Sequence, residues 1–507
     1  MKKLFYVLAL LCTSFCAHAQ FTFSSEPGPF RVGFRVVQQY DTARTYKGKV
    51  DSVTGLPNQG VLSRPVQTLV WYPTTATGSA MRVIDYKSTS TTEDGFDHSP
   101  ALIQTRMTQI QNNAIRKLGK PRADAALAQR MLAVRDVQPA GGRFPVVIYA
   151  PGAGGNADEN ADMCEFLASH GYLVLASTSM AAHSLSFDTD HGEVSPQERD
   201  ISFLIGYAQS LPQADMQHVG VIGFSWGGLA GMSATSKDNR ITALVGLDAS
   251  FRYFPQFVKQ IAPEQIAVPL LFVSAKAKSI EKLTKDHFDT TFSLMNEMRY
   301  SDVYRILAEP LKHGWMTSDG VRFDPDSEFT DYSRAEVSVA HSWVMRYVRQ
   351  FLDAHLKNKP TGLAFLAKTP VENGVPAHLF APETQRANGT PPSREAFAAA
   401  LAKRGFSNAF TLYQEFRKSS ATFELAPNSL NGWGYALLVD HKNPEAAVAI
   451  FKLATELYPD DWNTFDSLAE AYEVNGNKAL AIENYQRSIA LNAKNENGLQ
   501  HLKVLQE

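Results

Sequence analysis

The sequence predicts a doubly wound α/β domain on a mostly parallel sheet with a helical insertion, followed by an all-helical region. Three observations carry that expectation. Apolar runs of strand length alternate with amphipathic stretches from Phe144 onward, a polar block with helical spacing interrupts the strands before it, and the C-terminal residues repeat at a fixed period. With 507 residues, 44% hydrophobic and 20% charged, the chain has room for two or three domains with real cores. Its formal net charge of -2 and pI near 6.7 offer no electrostatic attraction to nucleic acid or an anionic membrane, so neither is expected as a partner.

The first residues, "MKKLFYVLALLCTSFCAHAQ", set Lys2 and Lys3 before an apolar run from Leu4 to Leu11 and close on Ala17-His18-Ala19. That is the pattern of a cleavable signal peptide over residues 1–19, and it predicts a secreted or periplasmic protein starting near Gln20. No later segment reaches about 18 uninterrupted apolar residues, so stable membrane insertion is not expected. Cys12 and Cys16 leave with the signal, and Cys164 alone cannot form an internal disulfide.

After the signal, "RVGFRVVQQY" and "VQTLVWYPT" read as strands, rich in β-branched and aromatic residues. Residues from about 86 to 142 are polar, with helical spacing in "ALIQTRMTQIQNNAIRKLG" and "RADAALAQRMLAVR", and read as the helical insertion. Beyond it come strand "FPVVIYA", helix "ADMCEFLASHG", strand "YLVLAS", helix "PQERDISFLIGYAQSL", strand "VGVIGF" and a helix from Gly227. The runs "ITALVGLD", "VPLLFVSA" and "DVYRILAE" supply further strands, and a helix from about Arg334 to Leu356, with Val337, His341, Val344, Val348 and Leu352 near one stripe, closes the domain. The α/β domain thus spans residues 20–356. Residues 357–427 read as a helix-and-loop connector, and 428–507 as repeats. There Ala447 aligns with Ala481, Phe451 with Tyr485 and Leu457 with Leu491, a period of about 34 that matches a tetratricopeptide unit. Two repeats are fewer than the roughly three that stand alone, so they are expected to pack on "FAAALAKRGFSNAFTLYQEF".

The chemistry centres on Gly223-Phe224-Ser225-Trp226-Gly227, a G-x-S-x-G sequence set between the strand "VGVIG" and the helix start "GGLAGMSA". Glycines there let the backbone turn sharply and leave the serine hydroxyl exposed at the sheet edge. A serine nucleophile needs a base and an oxyanion site. His313, in "EPLKHGWMTSD" after the last strand, is the expected base, whereas His287 and His341 lie on probable helices. Asp248, ending "ITALVGLD", is the expected acid, with Asp286 and Asp289 as fallbacks. The glycine loop "YAPGAGGNA" after "FPVVIYA" is the expected oxyanion and substrate loop, through its glycines, Gly152 and Gly154 among them.

Gly152 to Ala157 also spells G-x-G-x-x-A, a dinucleotide fingerprint. That reading demands an acid about twenty residues on, and "YLVLASTSM" has none, so no nucleotide cofactor is expected. "DTDHGE" at 188–193 fits neither the calcium-loop nor the zinc-helix spacing and reads as a solvated rim loop, so no metal is expected.

These residues together resemble an α/β-hydrolase of the platelet-activating-factor acetylhydrolase and dienelactone-hydrolase-like branch. "PGAGGNADENADMCEFLASHGYLVLA" resembles that group's oxyanion loop, helix and strand; "GFSWGG" its elbow; "ALVGLDASF" its acid segment; "LKHGWMTSD" its histidine loop. The likeness runs from about Phe30 to Leu356, the insertion excepted. It implies a Ser225, Asp248, His313 triad with the backbone N–H groups of Ala153 and Trp226 as oxyanion hole. The chain departs from acetylhydrolases at Pro151-Gly152, where they carry His-Gly, and from dienelactone hydrolases in having serine for cysteine.

The expected activity is therefore cofactor-free hydrolysis of a small-molecule or polymer-borne carboxylic ester through an acyl-enzyme. Trp226 and the insertion are candidate walls of the acyl pocket. Alternatives are a peptidase or acyltransferase on the same fold, or an interaction protein with a degenerate hydrolase domain whose repeats bind a second copy or another protein.

Overall fold

The computed structural model describes residues 23–50, 55–184, 194–252, 254–258, 260–276, 284–285 and 293–507. The expected signal peptide, the "DTDHGE" loop, His287, Asp286 and Asp289 lie outside them. The chain divides into two compact units, Met1–Asn388 and Gly389–Glu507.

The first unit is built on a sheet whose described strands are β1 (Arg31–Thr45), β2 (Ser63–Thr74), β3 (Ala80–Arg82), β4 (Arg130–Arg135), β5 (Phe144–Ala150), β6 (Leu173–Ser177), β7 (Ala214–Phe224), β8 (Ile241–Leu247), β9 (Leu270–Ala275), β10 (Val303–Ala308) and β11 (Phe380–Gln385). Their order is β11-β10-β9-β8-β7-β5-β6-β2-β1-β4-β3. From β6 to β10 every neighbouring pair is parallel. These strands are apolar along nearly their whole length because helices cover both faces. Alternate side chains serve opposite faces: Val147 and Tyr149 of β5 join one core with helices Ala161–Ser169 and Arg334–His355, while Val146, Ile148 and Ala150 join the other with helices Ser195–Gln209 and Trp226–Lys237. The strand order reverses at β5, since β6 lies on one side of it and β7 on the other. Open α/β sheets bind ligands outside the strand ends at such a switch point.

Two segments differ from expectation. "RMLAVR" is strand β4, not the end of a helix. The preceding helix, Lys120–Ala128, stops before Gln129, and then Met131 and Ala133 point inward while Arg130 and Leu132 point out, a period of two that pairs in parallel with β1. In the connector, Phe380–Gln385 forms the edge strand β11, antiparallel to β10. Helices Pro100–Leu118 and Lys120–Ala128 do occupy the insertion. Cys164 is a buried free thiol. No helix of the described residues is long and apolar enough to cross a membrane.

The second unit is helical. Helices Pro444–Leu457 and Trp462–Val474 pack together as one pair, and Lys478–Leu491 and Glu496–Gln506 as the next. Equivalent positions do the same work: Asn443 and Asn477 cap the first helix of each pair, Asp461 and Asn495 the second, and Ala447, Ala481, Phe451 and Tyr485 are all fully buried. Ile450, Leu453 and Ala454 share a core with Phe397, Leu401 and Leu412 of the preceding segment.

Candidate active site

Strand β7 ends at Phe224 and a helix begins at Trp226, so Ser225 alone makes the turn, at φ 52° and ψ -118°. A non-glycine residue there costs on the order of 1–3 kcal/mol and persists only where its surroundings hold it. Ser225 N–H donates to Leu247 O at 3.0 Å, while its carbonyl accepts from Ser250 N–H at 2.9 Å and Gly228 N–H at 3.1 Å. The neighbouring glycines are required by space. A Cβ at Gly223 would stand 2.3 Å from Gly227 O, one at Gly227 2.1 Å from Ala150 O, and one at Gly228 2.2 Å from Ala249 Cβ.

Asp248 follows β8 directly and also has positive φ, 41°. Its Oδ1 accepts from Ala275 N–H at 3.0 Å, and its Oδ2 lies 2.5 Å from His313 Nδ1. With the carboxylate on Nδ1, the ring proton belongs on that nitrogen, which leaves the Nε2 lone pair facing Ser225 Oγ at 3.0 Å. The imidazole is half exposed and the carboxylate nearly buried, and the ring rests against Phe224 with centroids 4.9 Å apart.

Contacts on the turn His313–Met316 hold the histidine in place. Trp315 stacks on Phe329 at 4.5 Å and donates its indole N–H to Asp324 Oδ2 at 3.0 Å. His341, buried in helix Arg334–His355, faces Trp315 O with Nδ1 at 3.0 Å; burial pulls its pKa down to about 4, so it stays neutral and donates. Its expected place on a structural helix stripe is where it is found. Asn160 donates from Nδ2 to Met316 O and accepts at Oδ1 from Ser318 N–H, both at 3.1 Å, tying this turn to the loop after β5.

The start of that loop, Pro151 to Gly155, stands beside the serine: a Cβ at Gly152 would lie 3.5 Å from Ser225 Cβ. Gly154 takes φ 64°, and Ala153 and Gly154 are exposed. Gly152 N–H donates to Glu159 Oε1 at 3.0 Å and Gly155 N–H to Gly152 O at 2.8 Å. Among the described residues, the N–H groups of Ala153 and Gly154 have no acceptor. Burial pushes the Glu159 carboxyl up to about 8, against the Gly152 N–H and Tyr149 hydroxyl that favour its charged form. Nearby, Lys87 pairs with Asp158 at 2.8 Å and with Asp319.

The expected residues therefore fall into three groups. Ser225, His313 and Asp248 form one hydrogen-bonded chain, with Gly152, Ala153 and Gly154 on the loop next to it. Trp226 contributes its place at the start of the helix, but its indole is only 1% exposed and packs edge-on against Phe254 and Phe257, at 4.9 and 5.7 Å. The ring is core and not a pocket wall. Glu159, Asn160 and Gln197, which brace the loops, were not singled out from sequence; the one signal for Glu159 and Asn160 is the density of polar residues in "GNADEN" beside a glycine loop, and Gln197, in the helical "PQERD", carries none. Among the described residues, no cluster of three or more His, Cys, Asp or Glu side chains is placed to hold a metal ion.

Residues 131–297 match the family model "Dienelactone hydrolase family", a span that includes Ser225 and Asp248 and ends before His313. Among solved structures, a ferulic acid esterase from Streptomyces cinnamoneus is similar at 18% identity, covering 68% of this chain and 96% of that one with a TM-score of 0.48. No curated protein matches. The sheet, the elbow and the family-model match define the class of protein as an α/β-hydrolase. Within that class, residues 131–297 are similar to the dienelactone hydrolases, a likeness that supports a hydrolase.

Proposed function

We propose that the protein is an exported serine esterase, allied to the platelet-activating-factor acetylhydrolase-like branch, which cleaves carboxylic esters through an acyl-enzyme. The observation that carries this reading is His313, with one ring nitrogen 2.5 Å from Asp248 Oδ2 and the other 3.0 Å from Ser225 Oγ. Ser225 Oγ attacks the ester carbonyl as His313 Nε2 takes its proton, and the oxyanion is received by the N–H groups of Ala153 and Trp226. Collapse expels the alcohol, protonated by His313. Water then repeats the sequence on the acyl-enzyme and releases the acid. Asp248 fixes the imidazole tautomer and stabilises its cation. Acyl-group selection rests with the loops around the strand ends, not with the Trp226 indole. The C-terminal helix pairs are read as tetratricopeptide repeats, a surface for a second copy or a protein partner.

The test is Ser225→Ala assayed on p-nitrophenyl acetate, with fluorophosphonate labelling of both proteins. Loss of several orders of magnitude in kcat together with loss of labelling is expected. Undiminished turnover in the variant would remove Ser225 from the chemistry, and a wild-type protein inert to both reagents would favour the interaction protein.

A further inference from the structure

Two side chains outside the Ser225, His313, Asp248 chain grip opposite ends of a single peptide group. The Pro151–Gly152 peptide presents its carbonyl to Gln197 Nε2, which donates at 2.8 Å, and its N–H to Glu159 Oε1 at 3.0 Å. Gln197 is 3% exposed and reaches the loop from helix Ser195–Gln209 on one face of the sheet. Glu159 approaches from the segment before helix Ala161–Ser169 on the other, and the buried Tyr149 hydroxyl donates to the same Oε1 at 2.9 Å. The next peptide, Gly152–Ala153, has its carbonyl taken by Gly155 N–H at 2.8 Å, which turns the Ala153 N–H the opposite way. Glu159 also fills the space at Gly155, where a Cβ would stand 2.4 Å from Oε2. A peptide group held at both ends cannot flip, and the following one is then fixed by the loop's own hydrogen bond.

We propose that Glu159 and Gln197 are positioning residues that clamp the Pro151–Gly152 peptide from both faces of the sheet and thereby aim the Ala153 N–H at the developing oxyanion. The proposal rests on the serine-esterase reading. It adds to it the reason that a loop of small residues on the surface keeps one donor in a fixed direction. Such preorganisation matters because a donor misaimed in the transition state is partly lost, whereas ground-state binding hardly uses it.

The experiment compares Glu159→Ala, Glu159→Gln and Gln197→Ala with wild type and Ser225→Ala, measuring kcat and KM on p-nitrophenyl acetate and Tm for each. A glutamine carbonyl accepts from both Gly152 N–H and Tyr149 OH, so Glu159→Gln should stay within about threefold of wild type. Glu159→Ala should lose about 10- to 100-fold in kcat with KM within about twofold, because a full oxyanion donor is worth about 10²–10³. Gln197→Ala should lose about tenfold in the same way. If Glu159→Ala does not fold, the kcat and KM of Gln197→Ala decide. Wild-type kcat in both alanine variants, a loss carried by KM, or a Glu159→Gln as impaired as Glu159→Ala would overturn the clamp. An active Ser225→Ala would instead overturn the esterase reading beneath it.

Discussion

Replacing Asp248 by asparagine tests the hydrogen-bonded chain most severely, because it alters neither size nor the number of contacts. The carboxylate accepts twice, from Ala275 N–H at 3.0 Å through Oδ1 and from His313 Nδ1 at 2.5 Å through Oδ2. Asparagine has only one acceptor. If its oxygen stays on Ala275 N–H, its NH2 faces Nδ1, which must then accept. The ring proton moves to Nε2 and points at Ser225 Oγ, so His313 has no lone pair for the serine. The opposite orientation sets NH2 against Ala275 N–H and leaves a backbone donor unpaired, at a cost of about 1–3 kcal/mol. The unproductive tautomer is thus favoured by roughly 5- to 150-fold, before the lost carboxylate charge beside the imidazolium is counted. The two effects together should approach the roughly 10⁴-fold loss seen when a triad aspartate becomes asparagine, about 5.5 kcal/mol in the barrier. The assay is kcat/KM on p-nitrophenyl acetate beside a thermal melt. A loss under about tenfold with unchanged Tm would refute the tautomer reasoning.

Two further outcomes follow from the packing and the buried charges. Gly227→Ala places a Cβ 2.1 Å from Ala150 O and 2.4 Å from Pro151 O, backbone atoms that cannot rotate aside, so the helix start must part from the Pro151–Gly155 loop. It should cost about 1–3 kcal/mol in denaturant unfolding and at least about tenfold in kcat; wild-type values for both would show that the elbow is not closely packed. Glu93 is raised to about 8 by burial, opposed by the Thr178 hydroxyl at 2.6 Å and Arg106 and reinforced by Asp158 and Asp94. Its folded pKa lies above its unfolded value, so the native state keeps a proton the unfolded chain has lost. The stability it contributes is complete below about 4.5 and is lost as pH rises through about 8, at up to roughly 1.4 kcal/mol per pH unit. Relative to Glu93→Gln, wild-type Tm should therefore fall progressively between pH 5 and 8, and parallel Tm curves would contradict the buried, protonated carboxyl.

Much of this was legible because the central strands announce themselves. "FPVVIYA", "VGVIGF" and "ITALVGL" are apolar runs, broken only by Thr242, each followed at once by the residues that matter: the glycine loop, Ser225 and Asp248. "RMLAVR" was not, since six residues of mixed polarity fit a helix or a strand, and only pairing with β1 decides between them. "FAPETQ" buries Phe380 alone among its first five residues and carries a proline, so as an edge strand it shows almost no alternation. The Trp226 indole was misplaced because an aromatic beside the serine of a G-x-S-x-G turn is compatible with pocket or core, and its burial against Phe254 and Phe257 settles which. Asn160 was invisible for a different reason: its partners, Met316 and Ser318, lie 156 and 158 residues away, and no local pattern records a contact of that range.

The strained residues share one cause, which lies in the register of the sheet. Ala150 is level with Gly223, Phe224 with Leu247, Leu247 with Val273, and Ala275 with Ala308. The strands therefore end along a common edge, and the first residues beyond it are Pro151, Ser225, Asp248 and Lys276, with His313 a short turn past β10. Because neighbouring ends are level, each loop can bond the next: Ser225 N–H reaches Leu247 O, Ser250 N–H reaches Ser225 O, and Asp248 N–H reaches Val273 O at 2.6 Å. Those bonds hold Ser225 and Asp248 at positive φ, which costs on the order of 1–3 kcal/mol for each alone. A slip of one residue between β7 and β8 would exchange the faces of every side chain on one strand and separate Ser225 from Asp248 in the same step. The apolar runs that fold the domain thus also fix the spacing of Ser225, Asp248 and His313. It follows that core substitutions in β7 or β8 that loosen the register should lower kcat before they unfold the protein.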